Sequence, residues 1–243
     1  MLKTLKAELS AAKTDPENFA ERASAVSSSA IEVLRGAAAA TAPSLPVAVH
    51  AMRVLKVASD ARSAATASAA VQTFVDGALL PRLGRAAGAE AAQLQQVCRV
   101  AANTLAALLG VAGGDSAAAL WSGWLGARWE ALLDGASADG ADALAALLAR
   151  CAGASADARA ALLERAEPPR WPLRVLFAAE PGCLPELRPG GEALLRELCR
   201  EPGGLSATLG ALGPPLDDSS APSASTEASA GTTATKASPR SAS

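Results

Sequence analysis

Residues 90–109, EAAQLQQVCRVAANTLAALL, decide the fold class of this chain. Apolar side chains recur along the stretch at intervals of three and four, and neither glycine nor proline interrupts them. This is the period of an α-helix with one apolar face. We therefore predict one long helix, with its inward side formed by Leu94, Val97, Ala101, Leu105, Leu108 and Leu109.

The composition of the whole chain favours helix as well. Of the 243 residues, 50% are hydrophobic but only 3% are aromatic, and tyrosine is absent. Alanine, leucine, glutamate and arginine dominate, and these are strong helix formers. The β-branched and aromatic residues that strands need are scarce. The chain is predicted to be all-α.

The same apolar period predicts further helices on both sides of the long one. A first helix carries Leu2, Leu5 and Leu9, and a second begins at Pro16 and ends near Gly36. Asp115 follows two glycines and is predicted to cap the helix after the long one. The remaining predicted helices cover residues 47–58, 71–83 (interrupted at Gly77 and Pro81), 119–133, 141–151, 157–166, 173–179 and 192–199.

Two pairs of segments repeat along the chain. Residues 74–82, FVDGALLPR, align with residues 120–128, LWSGWLGAR, so that Gly77 matches Gly123 at an offset of 46. Residues 105–120 align with 147–162 at an offset of 42. Periods of roughly 40–47 residues are typical of armadillo and HEAT units, which stack because one unit cannot bury its own apolar face. A helical bundle whose alanine and leucine bias imitates repeats is the alternative.

Residues 143–152 followed by 157–163 resemble the third helix of an armadillo repeat running into the next unit, and residues 51–58 before 74–81 are similar. Within armadillo proteins, the segment from Cys98 to Asn103 resembles the ataxin-10 pattern of an arginine four residues before an asparagine. The tryptophan-rich residues 120–133 also resemble that family. The resemblance covers residues 47–166 and implies an armadillo/HEAT-like right-handed α-α superhelix.

We accordingly expect four parts. Residues 1–46 form an N-terminal helical cap, 47–166 the armadillo-like repeats, and 167–212 a C-terminal helical cap. Residues 213–243 are serine, alanine, threonine and proline with almost no bulky apolar side chain. Such a segment cannot offset the entropy lost on ordering, so a disordered tail is predicted.

The resemblance implies a non-enzymatic scaffold that binds protein partners, with a role in cell division or cell survival. In armadillo folds the third helices line a concave groove, so polar residues there are the binding candidates. In this chain they are Arg53, Lys56, Arg99, Asn103 and Arg150. Asn103 could offer its amide to a bound backbone or bond within the protein, and the arginines could simply be solvated. A helical regulator of a GTPase or another enzyme, such as an exchange factor, is the alternative function.

Trp121, Leu125 and Trp129 are spaced at i, i+4 and i+8, which places them on one helical face. Large aromatics at helical spacing normally fill the layers between helices, so we predict that they belong to the core. The alternative is an exposed anchor for a partner.

The sequence offers little catalytic chemistry. No nucleophile elbow or phosphate-binding glycine loop occurs, and His50 is the only histidine. Cys98, Cys151, Cys183 and Cys199 lack metal-ligand spacing and are predicted to be buried free thiols. We therefore expect no enzyme activity, no cofactor and no metal.

Charge and hydropathy limit the partners in the same way. The net charge is −2 and the charges are interspersed, so no clustered basic patch for nucleic acid is expected. No long uncharged apolar stretch predicts a membrane span. The N-terminal residues have no apolar signal core and are rich in acids, which favours the cytoplasm.

Overall fold

The computed structural model describes residues 19–164 and 187–204, with isolated positions at 4, 7, 10, 11, 14 and 206. Every regular element in this part of the chain is helical and no strand occurs in it, which confirms the all-α prediction. The chain divides into two units, Met1–Gly213 and Pro214–Ser243, and the described residues belong to the first. The predicted tail, the predicted helix over 173–179 and most of the predicted first helix lie outside the described residues.

The helices of the described part are numbered here in chain order. They are α1 (Phe19–Ala39), α2 (Leu45–Ala58), α3 (Ala64–Phe74), α4 (Leu80–Leu83), α5 (Gly88–Ala112), α6 (Gly114–Gly123), α7 (Trp129–Asp134), α8 (Ala138–Ala154), α9 (Ala156–Glu164) and α10 (Pro189–Leu198). A π-helical turn, Val75–Leu79, joins α3 to α4, and a 3₁₀ turn, Leu125–Ala127, separates α6 from α7. With 25 residues, α5 is the longest of these helices and contains the stretch that predicted it.

Local sequence determines where several helices begin and end. Ser137 precedes α8, and its hydroxyl accepts a hydrogen bond from the Gly140 amide (3.3 Å). Ser155 precedes α9 and accepts from the Ala158 amide (3.2 Å). Each bond satisfies one of the amides that a first helical turn leaves unpaired. Gly113 ends α5 with a φ of +95°, in the region of backbone space that favours glycine.

Two predicted helices are divided differently in the structure. The helix predicted over 71–83 starts earlier, at Ala64, and passes into the π-helical turn around Gly77. An added Cβ at Gly77 would lie 3.1 Å from the main-chain oxygen of Ala38, so the close approach of α1 explains this glycine. The helix predicted over 119–133 is broken at Trp124. Because α6 begins at Gly114, the prediction that Asp115 caps it is wrong.

Four helices lie side by side in the order α2, α5, α8, α10, since α5 packs against α2 and α8, and α10 packs against α8. Contacts near both ends fix the direction of α5 relative to α8. Near their N-terminal ends, a Cβ at Gly140 would lie 4.0 Å from the main-chain oxygen of Gln95. Near their C-terminal ends, the Arg150 guanidinium lies against Gly110. The two helices therefore run in the same direction.

The pairing of α8 with α10 follows the same order. The Gly190 amide donates to Asp142 Oδ1 (2.8 Å) near the start of both helices. The Glu197 carboxylate faces Gly153 near their ends. Hence α5, α8 and α10 all run in one direction. Shorter helices pack on this array: α3 packs on α1 and α5, and α6, α7 and α9 pack on α8.

The core is a single cluster rich in alanine and leucine. The six residues predicted to face inward on the long helix are all at most 7% exposed, which confirms the assigned face. The buried hydroxyl of Thr104 lies 2.7 Å from the main-chain oxygen of Val100 and 3.3 Å from that of Met52, so this polar group is satisfied within the core. None of the described helices is long and apolar enough to cross a lipid bilayer.

Candidate interaction surface

Helices α2, α5 and α8 each bury an apolar face and leave a stripe with polar side chains open to solvent. On α5, for example, Gln96, Arg99, Asn103 and Gly110 follow at helical intervals and are exposed or half-buried. We call the combined stripes, with the residue that precedes α10, the polar face. It consists of Arg53, Lys56, Arg99, Asn103, Asp139, Asp142, Arg150 and Arg188.

The polar face, as defined, includes the five residues predicted as binding candidates, and these lie on three helices that pack side by side. The contacts given by the described residues join none of the five directly to another. What the structure brings together is their helices. Met52 of α2 contacts Thr104 of α5, and each of these two residues adjoins a candidate, Arg53 and Asn103. The structure therefore places the helices that carry the five candidates side by side.

The carboxylate of Asp139 links three helices across this surface. It accepts a hydrogen bond from Arg99 Nη1 (2.9 Å) on α5 and another from Arg188 Nη1 (2.7 Å) at the start of α10. The bond from Arg188, with the positive charges of Arg188 and Arg99, lowers the pKa of Asp139 below its ordinary value. The Asp139 side chain is 58% exposed, so these ion pairs position the side chains more than they stabilise the fold.

Sequence reasoning missed Asp139 and Arg188. The two pairs span 40 and 49 residues, and no local pattern marks them. The offset of 46 residues that aligns Gly77 with Gly123 also places Arg53 on Arg99, and this repeat is the only usable signal in the sequence. Asp139 lies 40 residues after Arg99, but the residue 40 positions after Arg53 is Gln93, which has no charge to pair with Arg53.

Arg53, Lys56 and Arg150 are the cations of the polar face that remain unpaired. All three are exposed, and none forms an ion pair with another described residue. Arg150 lies over Gly110, where an added Cβ would come within 3.3 Å of its Nη1. A glycine at this position leaves the guanidinium room to extend across α5.

Asn103 is half-buried at the middle of α5. Its side chain makes no hydrogen bond to the described residues, whereas the hydroxyl of its neighbour Thr104 is satisfied internally. A side-chain amide in the middle of a helix slightly disfavours that helix. The geometry thus leaves its donor and acceptor free to meet a ligand or water.

The predicted tryptophan stripe is part of the core. Trp121, Leu125 and Trp129 are 8%, 0% and 1% exposed, which confirms the core interpretation. They do not share one continuous helix, however, because the chain breaks at Trp124. Trp124 is itself buried and was missed as a core residue.

Trp124 belongs to a polar cluster around Asp76, which lies in the π-helical turn. The indole Nε1 donates to the Asp76 carboxylate (3.1 Å), and Arg128 Nε donates to the same carboxylate (2.6 Å). The Arg128 guanidinium lies 5.8 Å from the Trp124 ring centroid, within the range of a cation–π contact. These bonds tie the π-helical turn to the break between α6 and α7.

The thiols and the histidine show no arrangement for catalysis. Burial raises the pKa of Cys98 and of Cys151 to about 12, so both thiols stay protonated at neutral pH and are poor nucleophiles. Cys199 is exposed, so the prediction that it is buried is wrong, and Cys183 lies outside the described residues. His50 Nε2 is buried without a hydrogen-bond partner in the described part. Within that part, no cluster of three or more metal-ligating side chains occurs.

A groove of about 260 Å³ lies between α3, α6 and the C-terminal end of α5. Small or apolar side chains line most of it, and Trp124 forms part of its wall. The amide of Gln72 donates to Ser68 Oγ (3.0 Å), so one of its few polar groups is already engaged. None of its lining residues is charged, and the groove lacks the convergent polar groups of a typical small-molecule site.

Comparison of the chain with protein-family models, curated protein sequences and solved structures found no match. The armadillo resemblance therefore remains an expectation drawn from the sequence. The arrangement of the helices and the chemistry of the polar face are the basis for assigning a function.

Proposed function

We propose that this chain is a non-enzymatic scaffold that binds protein partners through the polar face of stacked, armadillo-like helical units. The direction of the long helices supports stacking. In an up-and-down bundle, adjacent helices alternate in direction, whereas repeat units place equivalent helices side by side in one direction. α5, α8 and α10 run in one direction, and the shorter helices α6 and α7 connect α5 to α8.

The observation that carries the proposal is that the polar face presents unpaired cations on helices. Arg53, Lys56 and Arg150 project from long helices whose other sides are buried, and they have no ion-pair partner in the described part of the chain. Binding sites built on helices hold their side chains better than sites on loops. The backbone that carries these groups is already ordered, so a partner has to order only their side chains.

The available chemistry supports a binding role rather than catalysis. The two described buried thiols are held protonated, and both carboxylates of the polar face already accept hydrogen bonds. The proposal follows the ataxin-10-like resemblance further, to a cytoplasmic protein that acts in cell division or survival. The support for that step is the arginine–asparagine pattern of α5, which lies on the polar face.

The test is affinity capture with the full chain as bait, followed by quantitative mass spectrometry. The variant Arg53→Glu/Arg150→Glu reverses two unpaired cations of the polar face. The matched control, Arg35→Glu/Arg85→Glu, makes the same change in net charge on α1 and on the turn after α4, where both arginines are exposed. Circular dichroism verifies that both variants remain helical.

We expect the parent and the control to hold a common partner that the polar-face variant loses. If both variants retain that partner equally, the polar face is not its docking surface. If a captured partner is a GTPase whose nucleotide turnover changes on binding, the chain is a regulator rather than a scaffold.

A further inference from the structure

The polar face is positively charged in a chain that is slightly negative. It carries cations at five positions and carboxylates at only two, Asp139 and Asp142, whereas the net charge of the whole chain is −2. The positive charge of this surface therefore reflects the placement of residues rather than the composition of the chain. Charge of one sign gathered on one face steers partners of the opposite sign.

The carboxylates of the polar face are engaged, whereas most of its cations are not. Asp139 accepts hydrogen bonds from both Arg99 and Arg188. Asp142 Oδ1 accepts from the Gly190 amide. Three of the five cations have no ion-pair partner in the described part of the chain, whereas Asp142 is the one carboxylate of the polar face without such a partner there. A partner would therefore meet free donors and few free acceptors.

We propose that the polar face binds an extended, acidic segment of a protein partner; this inference rests on the proposed scaffold function. Packed helices lie about 8–10 Å apart, so the axes of α2, which carries Arg53, and of α8, which carries Arg150, are separated by roughly 16–20 Å with α5 between them. An extended segment covers that distance with about six residues at roughly 3.3 Å each. Carboxylates near both ends of such a segment reach both arginines.

Nucleic acid fits this surface less well. A phosphate backbone places negative charge at short, regular intervals and calls for a dense basic patch. Here Asp139 and Asp142 lie on α8, between Arg99 of α5 and Arg188 before α10, and would repel it. A peptide can position its few carboxylates at the arginines and its neutral residues beside the aspartates.

Asp139 limits the binding in the free protein, because it occupies two guanidinium groups that would otherwise attract the acidic segment. Removing its charge should release Arg99 and Arg188 to the partner. Asp139→Asn is therefore expected to strengthen binding. A purely structural role for Asp139 would produce no such gain.

The experiment is fluorescence anisotropy with the full chain. The probe is a fluorescein-labelled peptide of about ten residues that alternates glutamate and serine, long enough to span α2 to α8. The comparison probes are the same peptide with lysine in place of glutamate, and a single-stranded oligothymidylate of about the same length. Each probe is measured at low and at high salt, because binding between exposed charges weakens as salt screens it.

We expect the glutamate peptide to bind the parent chain and the lysine peptide not to bind. Arg53→Glu/Arg150→Glu should lower the affinity for the glutamate peptide by about tenfold or more, since each reversal replaces an attraction with a repulsion. Arg35→Glu/Arg85→Glu should leave the affinity within about twofold, because its charges lie outside the polar face. Asp139→Asn should increase the affinity by about two- to fivefold.

The inference is overturned if the glutamate peptide fails to bind, if the two double variants weaken it equally, or if oligothymidylate binds more tightly. Loss of a captured partner from Arg53→Glu/Arg150→Glu, combined with no binding of the glutamate peptide, would keep the scaffold function and reject the acidic partner. If the polar face binds the glutamate peptide but its double variant loses no partner in the capture, the affinity for acidic segments stands and the scaffold function is rejected.

Discussion

Gly190 provides a direct test of the packing on which the polar face depends. It lies so close to α8 that an added Cβ would overlap the main-chain oxygen of Asp142, and it would come within 3.0 Å of the Ala146 amide nitrogen. Both are helix backbone atoms and cannot rotate away. Gly190→Ala should push the start of α10 off α8 and lower the free energy of unfolding by about 1–3 kcal/mol, the usual cost of overpacking.

Gly36 on α1 supplies the matched control. It is also a helical glycine, but an added Cβ there would meet no atom within 4 Å. Gly36→Ala should raise the free energy of unfolding by about 0.5–1 kcal/mol, because alanine favours helix and restricts the unfolded chain. The same chemical change should thus act in opposite directions at the two sites. For a chain of this size each kcal/mol shifts the melting temperature by about 2–4 °C.

The assay is urea unfolding of the full chain followed by far-UV circular dichroism, with thermal melts of the same variants. The reasoning fails if Gly190→Ala is as stable as Gly36→Ala. That result would mean that α10 does not pack on α8 as described. The contact of Arg188 with Asp139, and the end of the polar face that depends on it, would then be in doubt too.

Three other predictions concern single side chains. Asp76→Ala removes the carboxylate that accepts from both the Trp124 indole and the Arg128 guanidinium. Urea unfolding should show a free energy of unfolding lower by about 1–3 kcal/mol, and the tryptophan fluorescence emission should shift. Unchanged emission would contradict the cluster. Arg188 and Arg99 lower the pKa of Asp139 in the folded state. Its contribution to the free energy of unfolding is therefore complete above the ordinary carboxyl pKa of about 3.9 and is lost as pH falls through the lower folded value. The Asp139→Asn chain lacks this contribution, so acidification should lower its free energy of unfolding less than that of the parent, by under about 1 kcal/mol in urea unfolding. A thiol reagent at neutral pH, read by peptide mapping, should modify Cys199 well before the buried Cys98 and Cys151, and equal rates in the folded chain would refute their burial.

The helical class and the inward faces could be read from the sequence because both depend on short-range order. Leu94, Val97 and Leu105 recur with the helical period, and each is buried as that period predicts. The apolar spacing also indicated that the tryptophans belong to the core. These properties are set within a few turns of one helix, so the packing of the rest of the chain does not alter them.

The break at Trp124 shows where this reasoning stops. The spacing of Trp121, Leu125 and Trp129 suits one continuous helix, although Gly123 and Gly126 stand on either side of Trp124 and weaken it locally. The structure ends α6 at Gly123 and directs the Trp124 indole to Asp76, a residue 48 positions earlier. A long-range hydrogen bond, which local propensity cannot reveal, accompanies this break.

The candidate surface divides in the same way. The sequence by itself determined which helix faces carry Arg53, Arg99, Asn103 and Arg150, because helical periodicity places them opposite the apolar stripes. Only the tertiary structure decided that Arg99 is paired while Arg53 and Arg150 are free, since that depends on where Asp139 lies after α5 and α8 pack. Residues 40 or more positions apart meet through the packing of whole helices, and their separation in the sequence carries no record of it.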